Sequence, residues 1–296
     1  MTNTNIEGII PAIPTPMTPE GGINETALRA IIEFNIQAGV NGMWVAGGAG
    51  ESVLLDDDEN MRIAEIASEQ SRGRANIIMH VGAATTTRAT KLAEHAAKQG
   101  VQALCCVPPF FYTQDDDGVV EHYQAVASVS DLPFFIYNLP DATGIEITTD
   151  LAHKIQDRTP QLAGLKHSAL AFEDIRLFAN MGLIVLNGFG QLMLPALVAG
   201  AAGCVDGPLS IAPERWVYAW NAYQAGDMDK AKKAEKSALE VVDLLDFGYI
   251  QTLKAVLSAR LGVDCGMPRP PNLPLSPEQN KALLCKVDSL GLKMVN

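Results

Sequence analysis

Eight times between residues 8 and 225 a short, almost wholly apolar run appears, and longer amphipathic stretches separate these runs. Few folds accommodate that rhythm. The apolar runs are Gly8 to Ile13, Gly42 to Ala46, Ile77 to Gly82, Ala103 to Val107, Pro133 to Asn138, Gln161 to Lys166, Leu183 to Asn187 and Ala202 to Asp206. A strand apolar at nearly every position is buried on both faces, which is the condition of a parallel strand covered by helices. The intervening segments read as helices from Asn24 to Gly39, from Asp56, from Thr86 to Gln99, from Val119 to Val129, from Thr149, from Gln191 to Gly200 and from Glu214 to Ala225. Eight such even units predict an α/β fold of the closed (β/α)8 TIM barrel type, since an open doubly wound sheet seldom has so many. Three further helical stretches follow, Met228 to Phe247, Tyr249 to Leu261 and Pro277 to Leu290, the last preceded by five prolines between Pro268 and Pro277. The expected division is therefore a barrel over residues 1–226 and a C-terminal three-helix extension over 227–296, packed on the barrel.

Charge and cysteine content narrow the function. A formal net charge of −12 argues against nucleic acid and against an anionic membrane surface, both of which need clustered Lys and Arg. It also means that a bound acid must be held by local groups rather than by the general field. No apolar run approaches a membrane span, and Met1 to Asn5 has neither the basic start nor the apolar centre of a signal peptide. Five cysteines without a C-x-x-C spacing fit reduced thiols in a cytoplasm. The acid runs Asp56 to Glu59 and Asp115 to Asp117 fall where helices begin and complement their dipoles. Together with five scattered histidines they make no metal-ligand set, so a metal-dependent barrel lyase is the weaker alternative.

In a barrel of this kind the active site forms at the carboxyl ends of the strands. Lys166 ends the sixth strand and Tyr137 falls near the end of the fifth, so both are expected to face one mouth. An ammonium among apolar neighbours is poorly solvated, which favours the free amine that attacks a carbonyl carbon. Condensed with a ketone, the amine yields an iminium that draws electrons from the adjoining bond, and a nearby phenol can move the proton. Taken alone, Lys166 reads more readily as a strand-end lysine with its stem against the surface, and Tyr137 as a packed aromatic. The turn Gly47, Gly48, Ala49, Gly50 lacks the spacing of a dinucleotide fingerprint. Its exposed N–H groups suit a small anion such as a carboxylate.

With these pieces assembled, the chain resembles the dihydrodipicolinate synthase and N-acetylneuraminate lyase superfamily of class I aldolases over nearly its whole length. The motifs carrying the likeness are Gly47 to Glu51, His80-Val81-Gly82, Pro108 to Tyr112, Tyr137-Asn138-Leu139-Pro140 and Gly164-Leu165-Lys166. The run from His80 through Thr87, with Tyr137 to Pro140 and Asn187-Gly188, is closer to the N-acetylneuraminate lyase branch. The resemblance implies a barrel without metal or redox cofactor, a homotetramer, and a small 2-oxo acid as partner. It also implies a lysine imine at Lys166, a proton shuttle at Tyr137 and a carboxylate held at the Gly48-Ala49 step. Tyr112, Ser168, Gly188, Gly190, Gln191 and Asp206 would complete the substrate pocket.

Several positions depart from the family pattern. Gly48 and Ala49 stand where the family usually has two hydroxyl residues, each hydrogen bond to a charged group being worth ~1.5 to 3 kcal/mol. Phe111 stands where a tyrosine often relays protons between subunits, with Tyr112 as the expected substitute. Ala142 replaces the arginine of the synthases, which argues against dihydrodipicolinate synthesis. Gly190, Gln191 and Gly207 replace the Asp, Glu and Ser that hold sugar hydroxyls in the sialic acid lyases, which argues against sialic acid. The expected activity is cleavage of a 2-oxo acid or its formation by condensation with pyruvate. Dehydration of a 2-oxo-3-deoxy sugar acid through the same imine and a non-catalytic binding protein remain as alternatives.

Overall fold

The computed structural model describes residues 6–294; Met1 to Asn5, read above for a leader, lies outside the described residues. The eight apolar runs form the strands β1 (Gly8–Ile9), β2 (Gly42–Val45), β3 (Asn76–His80), β4 (Ala103–Cys106), β5 (Phe134–Asn138), β6 (Leu162–His167), β7 (Ile184–Asn187) and β8 (Gly203–Cys204). They lie in one parallel sheet in the order β1-β8-β7-β6-β5-β4-β3-β2. The first strand is shorter than its apolar run because Pro11, without an N–H, interrupts the ladder. The chain nevertheless closes the seam beyond it: Trp44 N–H donates to Pro11 O at 2.9 Å and Ile13 N–H to Trp44 O at 3.1 Å. The sheet is thus a (β/α)8 barrel.

Each strand is followed by a helix: α1 (Glu25–Gln37), α2 (Asp57–Ser71), α3 (Thr86–Lys98), α4 (Asp116–Ala127), α5 (Thr149–Arg158), α6 (Asp174–Asn180), α7 (Met193–Ala199) and α8 (Pro213–Gln224). Local chemistry fixes where they start. Asp56 caps α2 with its side chain on Glu59 N–H while Glu59 returns to Asp56 N–H, and Asp115 caps α4. Both acid runs thus serve helix starts. The helix expected from Val119 begins one turn earlier, at Asp116, because the acids belong to its first turn.

The C-terminal part adds α9 (Met228–Val242), α10 (Tyr249–Leu261) and α11 (Pro277–Ser289), with no helix across the proline-rich 268–276 segment. Leu253, Val256 and Leu257 of α10 are buried in the same apolar core as the barrel strands. Close approach governs two glycines. A Cβ at Gly203 would run into the backbone of Gly8 across the β1–β8 pair, and one at Gly164 into Ile184 O across β6–β7. The adjacent Cys105 and Cys106 are buried free thiols, and Cys285 is exposed. No helix among the described residues is long and apolar enough to cross a membrane.

Candidate active site

Parallel pairing of β5 with β6 places Tyr137 directly beside Lys166, and both are nearly enclosed, at 6% and 5% exposure. Lys166 Nζ lies 4.6 Å from the centre of the Tyr137 ring and 5.3 Å from that of Trp44. The two rings meet edge-on with centroids 5.9 Å apart. Within the described residues Nζ makes no hydrogen bond and no ion pair, so the amine is committed to no carboxylate. His80 stands edge-on to Tyr137 at 6.4 Å. Burial, opposed by the Ala46 backbone and reinforced by the Lys166 charge, pushes the His80 imidazole down to about 4. It is therefore neutral near pH 7 and adds no competing charge.

Above this group lies the Gly47 to Gly50 turn that follows β2. Gly50 N–H bonds to Gly47 O at 3.0 Å and Glu51 N–H to Gly48 O at 3.1 Å, whereas the N–H groups of Gly48 and Ala49 have no partner among the described residues. Two adjacent free amides make a concave donor site of the kind that binds anions. Gly47 is required for the close approach of the turn to Trp44, since a Cβ there would come within 2.8 Å of the indole. At Gly48 a Cβ would meet nothing within 4 Å, so the turn is open there. Thr15 Oγ1 holds the far side by donating to Gly50 O at 2.7 Å.

The remaining predicted residues separate into four groups. Ser168 is buried with an unpartnered Oγ and lies against Gly188, where a Cβ would collide with that hydroxyl. Asp206, at the end of the eighth strand run, accepts from Gly190 N–H at 2.8 Å, from Gly207 N–H at 2.7 Å and from the Tyr249 hydroxyl at 3.0 Å. Its carboxyl is enclosed although the residue keeps some surface, and this burial raises its pKa against the pull of the Gly190 N–H and Lys166. Gln191 lines a pocket of about 120 Å³ with Phe189 and Leu170. Tyr112 is not brought to Lys166: it is 73% exposed and packs edge-on against Phe111. A larger cavity of about 1200 Å³ lies elsewhere, between Met17 to Gly21, α10 and the proline-rich segment, and none of the predicted site residues line it.

Sequence reasoning missed Trp44 and Tyr249. Trp44 looked like one more apolar strand residue, although its position one residue before the carboxyl end of β2 was a usable signal. Tyr249 comes from the C-terminal extension, and its contact with Asp206 has no local signature.

The profile of the Dihydrodipicolinate synthetase family matches residues 5–289. The chain belongs to this family. Members of the dihydrodipicolinate synthetase family are Schiff-base class I aldolases that act on pyruvate or a related 2-oxo acid, and the chain is accordingly a lyase of that kind. It is 30% identical to the N-acetylneuraminate lyases of Escherichia fergusonii and Escherichia coli over 259 residues, 86% of either chain. Among solved structures it is similar to CdNal from Clostridium difficile in complex with mannosamine, with 27% identity, a TM-score of 0.91 and coverage of 96% and 99%. The dihydrodipicolinate synthase from Aquifex aeolicus gives 27% identity and a TM-score of 0.91, with 98% and 100% of the two chains covered. Resemblance to both branches agrees with the motifs read from the sequence.

Proposed function

We propose that Lys166 is the imine-forming residue, that Tyr137 moves the proton, and that the free Gly48 and Ala49 amides hold the carboxylate of the 2-oxo acid. The observation carrying this reading is the side-by-side placement of an unpaired, buried amine and a phenol beneath a turn with two idle donors. In the forward direction Nζ attacks the C2 carbonyl, the carbinolamine loses water, and the resulting iminium withdraws electrons from the C3–C4 bond. Tyr137 takes the proton of the C4 hydroxyl, the bond breaks to an aldehyde and an enamine, and the enamine is protonated at C3. Water then releases the 2-oxo acid and regenerates the amine. Condensation is the same path reversed.

Lining the distal end are Ser168, Gly188, Gly190, Gln191 and Asp206, which in this reading choose the substrate. Asp206 already spends its carboxylate on Gly190, Gly207 and Tyr249. The substrate's distal half therefore meets chiefly backbone, the Ser168 hydroxyl and the Gln191 amide. Incubation with pyruvate and borohydride, followed by peptide mapping, tests the assignment: an adduct on Lys166 is expected, and its loss in Lys166→Ala.

The oligomer is also part of the proposal. Phe111 is 87% exposed with φ +80, and Tyr112 beside it is 73% exposed. A strained, exposed aromatic pair is a costly feature for a monomer and suits a contact between copies in a homotetramer.

A further inference from the structure

We propose that Glu51 and Lys254 are positioning residues for the substrate carboxylate: their buried pair holds the Gly47 to Gly50 turn in the shape that presents the Gly48 and Ala49 amides. This rests on the carboxylate role given to that turn above.

Four observations carry it. The turn is flanked by two non-glycine residues in left-handed conformations, Ala46 at φ 52 and Glu51 at φ 58, and such a backbone persists only where its surroundings over-determine it. The Glu51 carboxylate meets Lys254 Nζ at 2.6 Å with both side chains 1% exposed. The same carboxylate accepts Arg269 N–H at 2.7 Å and Asn272 Nδ2 at 3.4 Å, while Lys254 also donates to Met267 O at 2.9 Å. Every partner of Glu51's side chain thus comes from α10 or the proline-rich segment, more than 200 residues away. Finally, no hydroxyl stands at positions 48 and 49, so the carboxylate depends on where the backbone itself is held.

A buried ion pair is a poor means of stabilising a fold, because desolvation offsets most of the attraction and an apolar pair of similar volume often does as well. Burial draws the Lys254 ammonium downward here, with Glu51 opposing. What the pair supplies that an apolar one would not is direction. Glu51 is fixed by α10 and the adjacent Gly50 by Thr15, immediately after the two free amides in the chain.

The test uses the full chain and three variants, E51Q, K254M and E51Q/K254M, with borohydride trapping of Lys166 measured against pyruvate concentration and, separately, against acetone. Acetone has the ketone and lacks the carboxylate. The half-saturating pyruvate concentration should rise at least about tenfold in each variant, while acetone trapping stays within about twofold of the parent. The double variant, having no lone buried charge, should regain the thermal stability that K254M loses without regaining pyruvate affinity; it also serves if K254M does not fold. Wild-type pyruvate affinity in the double variant, or parallel losses with pyruvate and acetone that track stability, would overturn the proposal. A wild-type chain that traps acetone and shows no response to pyruvate would instead remove the carboxylate reading beneath it.

Discussion

At the scale of single residues the site is defined as much by missing partners as by contacts. Lys166 Nζ, Ser168 Oγ, Trp44 Nε1 and the amides of Gly48 and Ala49 have no hydrogen-bond partner among the described residues, and they gather at one mouth. All but Gly48, which is exposed, belong to buried residues, and buried polar groups are rarely left so without a purpose. Because a side chain at Gly48 has open space, Gly48→Ser should restore a hydroxyl donor and lower the half-saturating pyruvate concentration about tenfold, read from the same trapping curve. Two buried histidines make a second prediction. Burial takes both His80 and His122 down to about 4, so between that pH and about 6.5 the unfolded chain binds protons that the folded chain excludes. Their stabilising contribution is present above pH 6.5 and is lost as pH falls through 4, on the order of 3 kcal/mol for each. Urea unfolding at pH 7 and pH 4.5 should show this loss, and His122→Gln should remove about half of it. Lys166 and Tyr137 were legible in the sequence because a polar residue closing an apolar run has one place to go in a barrel. Glu51 was legible only as part of a motif, since its partners lie in a distant helix.

Among the elements, the strands and most helix starts follow from short-range rules. Asp56, Asp115 and Ser276 each cap the helix that follows them, and the proline-rich run forms no helix but turns at 270–272, where Asn272 N–H donates to Arg269 O at 3.1 Å. What local rules did not give was the length of β1, the seven-residue helix α6 after β6, or the extra helical turns at Pro140–Thr143 and Pro208–Ile211, where a proline opens a helix too short for periodicity to register. The barrel's tight seams depend on glycine. Gly164 lies on β6, two residues before Lys166, and a Cβ there would strike backbone rather than a movable side chain. Gly164→Ala should therefore destabilise the fold by about 1–3 kcal/mol and misplace Lys166, measured as a lower unfolding midpoint together with slower imine formation.

For the whole molecule, a net charge of −12 means that the anionic substrate enters against the overall field, and binding rests on the local donors of one turn. The C-terminal helices contribute more than cover, since Tyr249 and Lys254 of α10 reach Asp206 and Glu51 respectively. This tie between the C-terminal helices and the mouth of the barrel was the least visible feature in the sequence, because it links residues by side chain over a long separation. If the homotetramer proposed above forms through the exposed Phe111 and Tyr112, Phe111→Asp yields smaller species than the parent by light scattering; an unchanged mass would contradict that part of the proposal.

Attack of an unpaired amine at position 166 on a 2-oxo acid beneath the glycine turn is the step on which the proposed function stands or falls. Borohydride reduction in the presence of pyruvate, with the modified peptide sequenced by mass spectrometry, addresses it most directly. One adduct is expected, on Lys166, abolished by Lys166→Ala. An adduct on another lysine, or none with pyruvate and any longer 2-oxo acid, would contradict it.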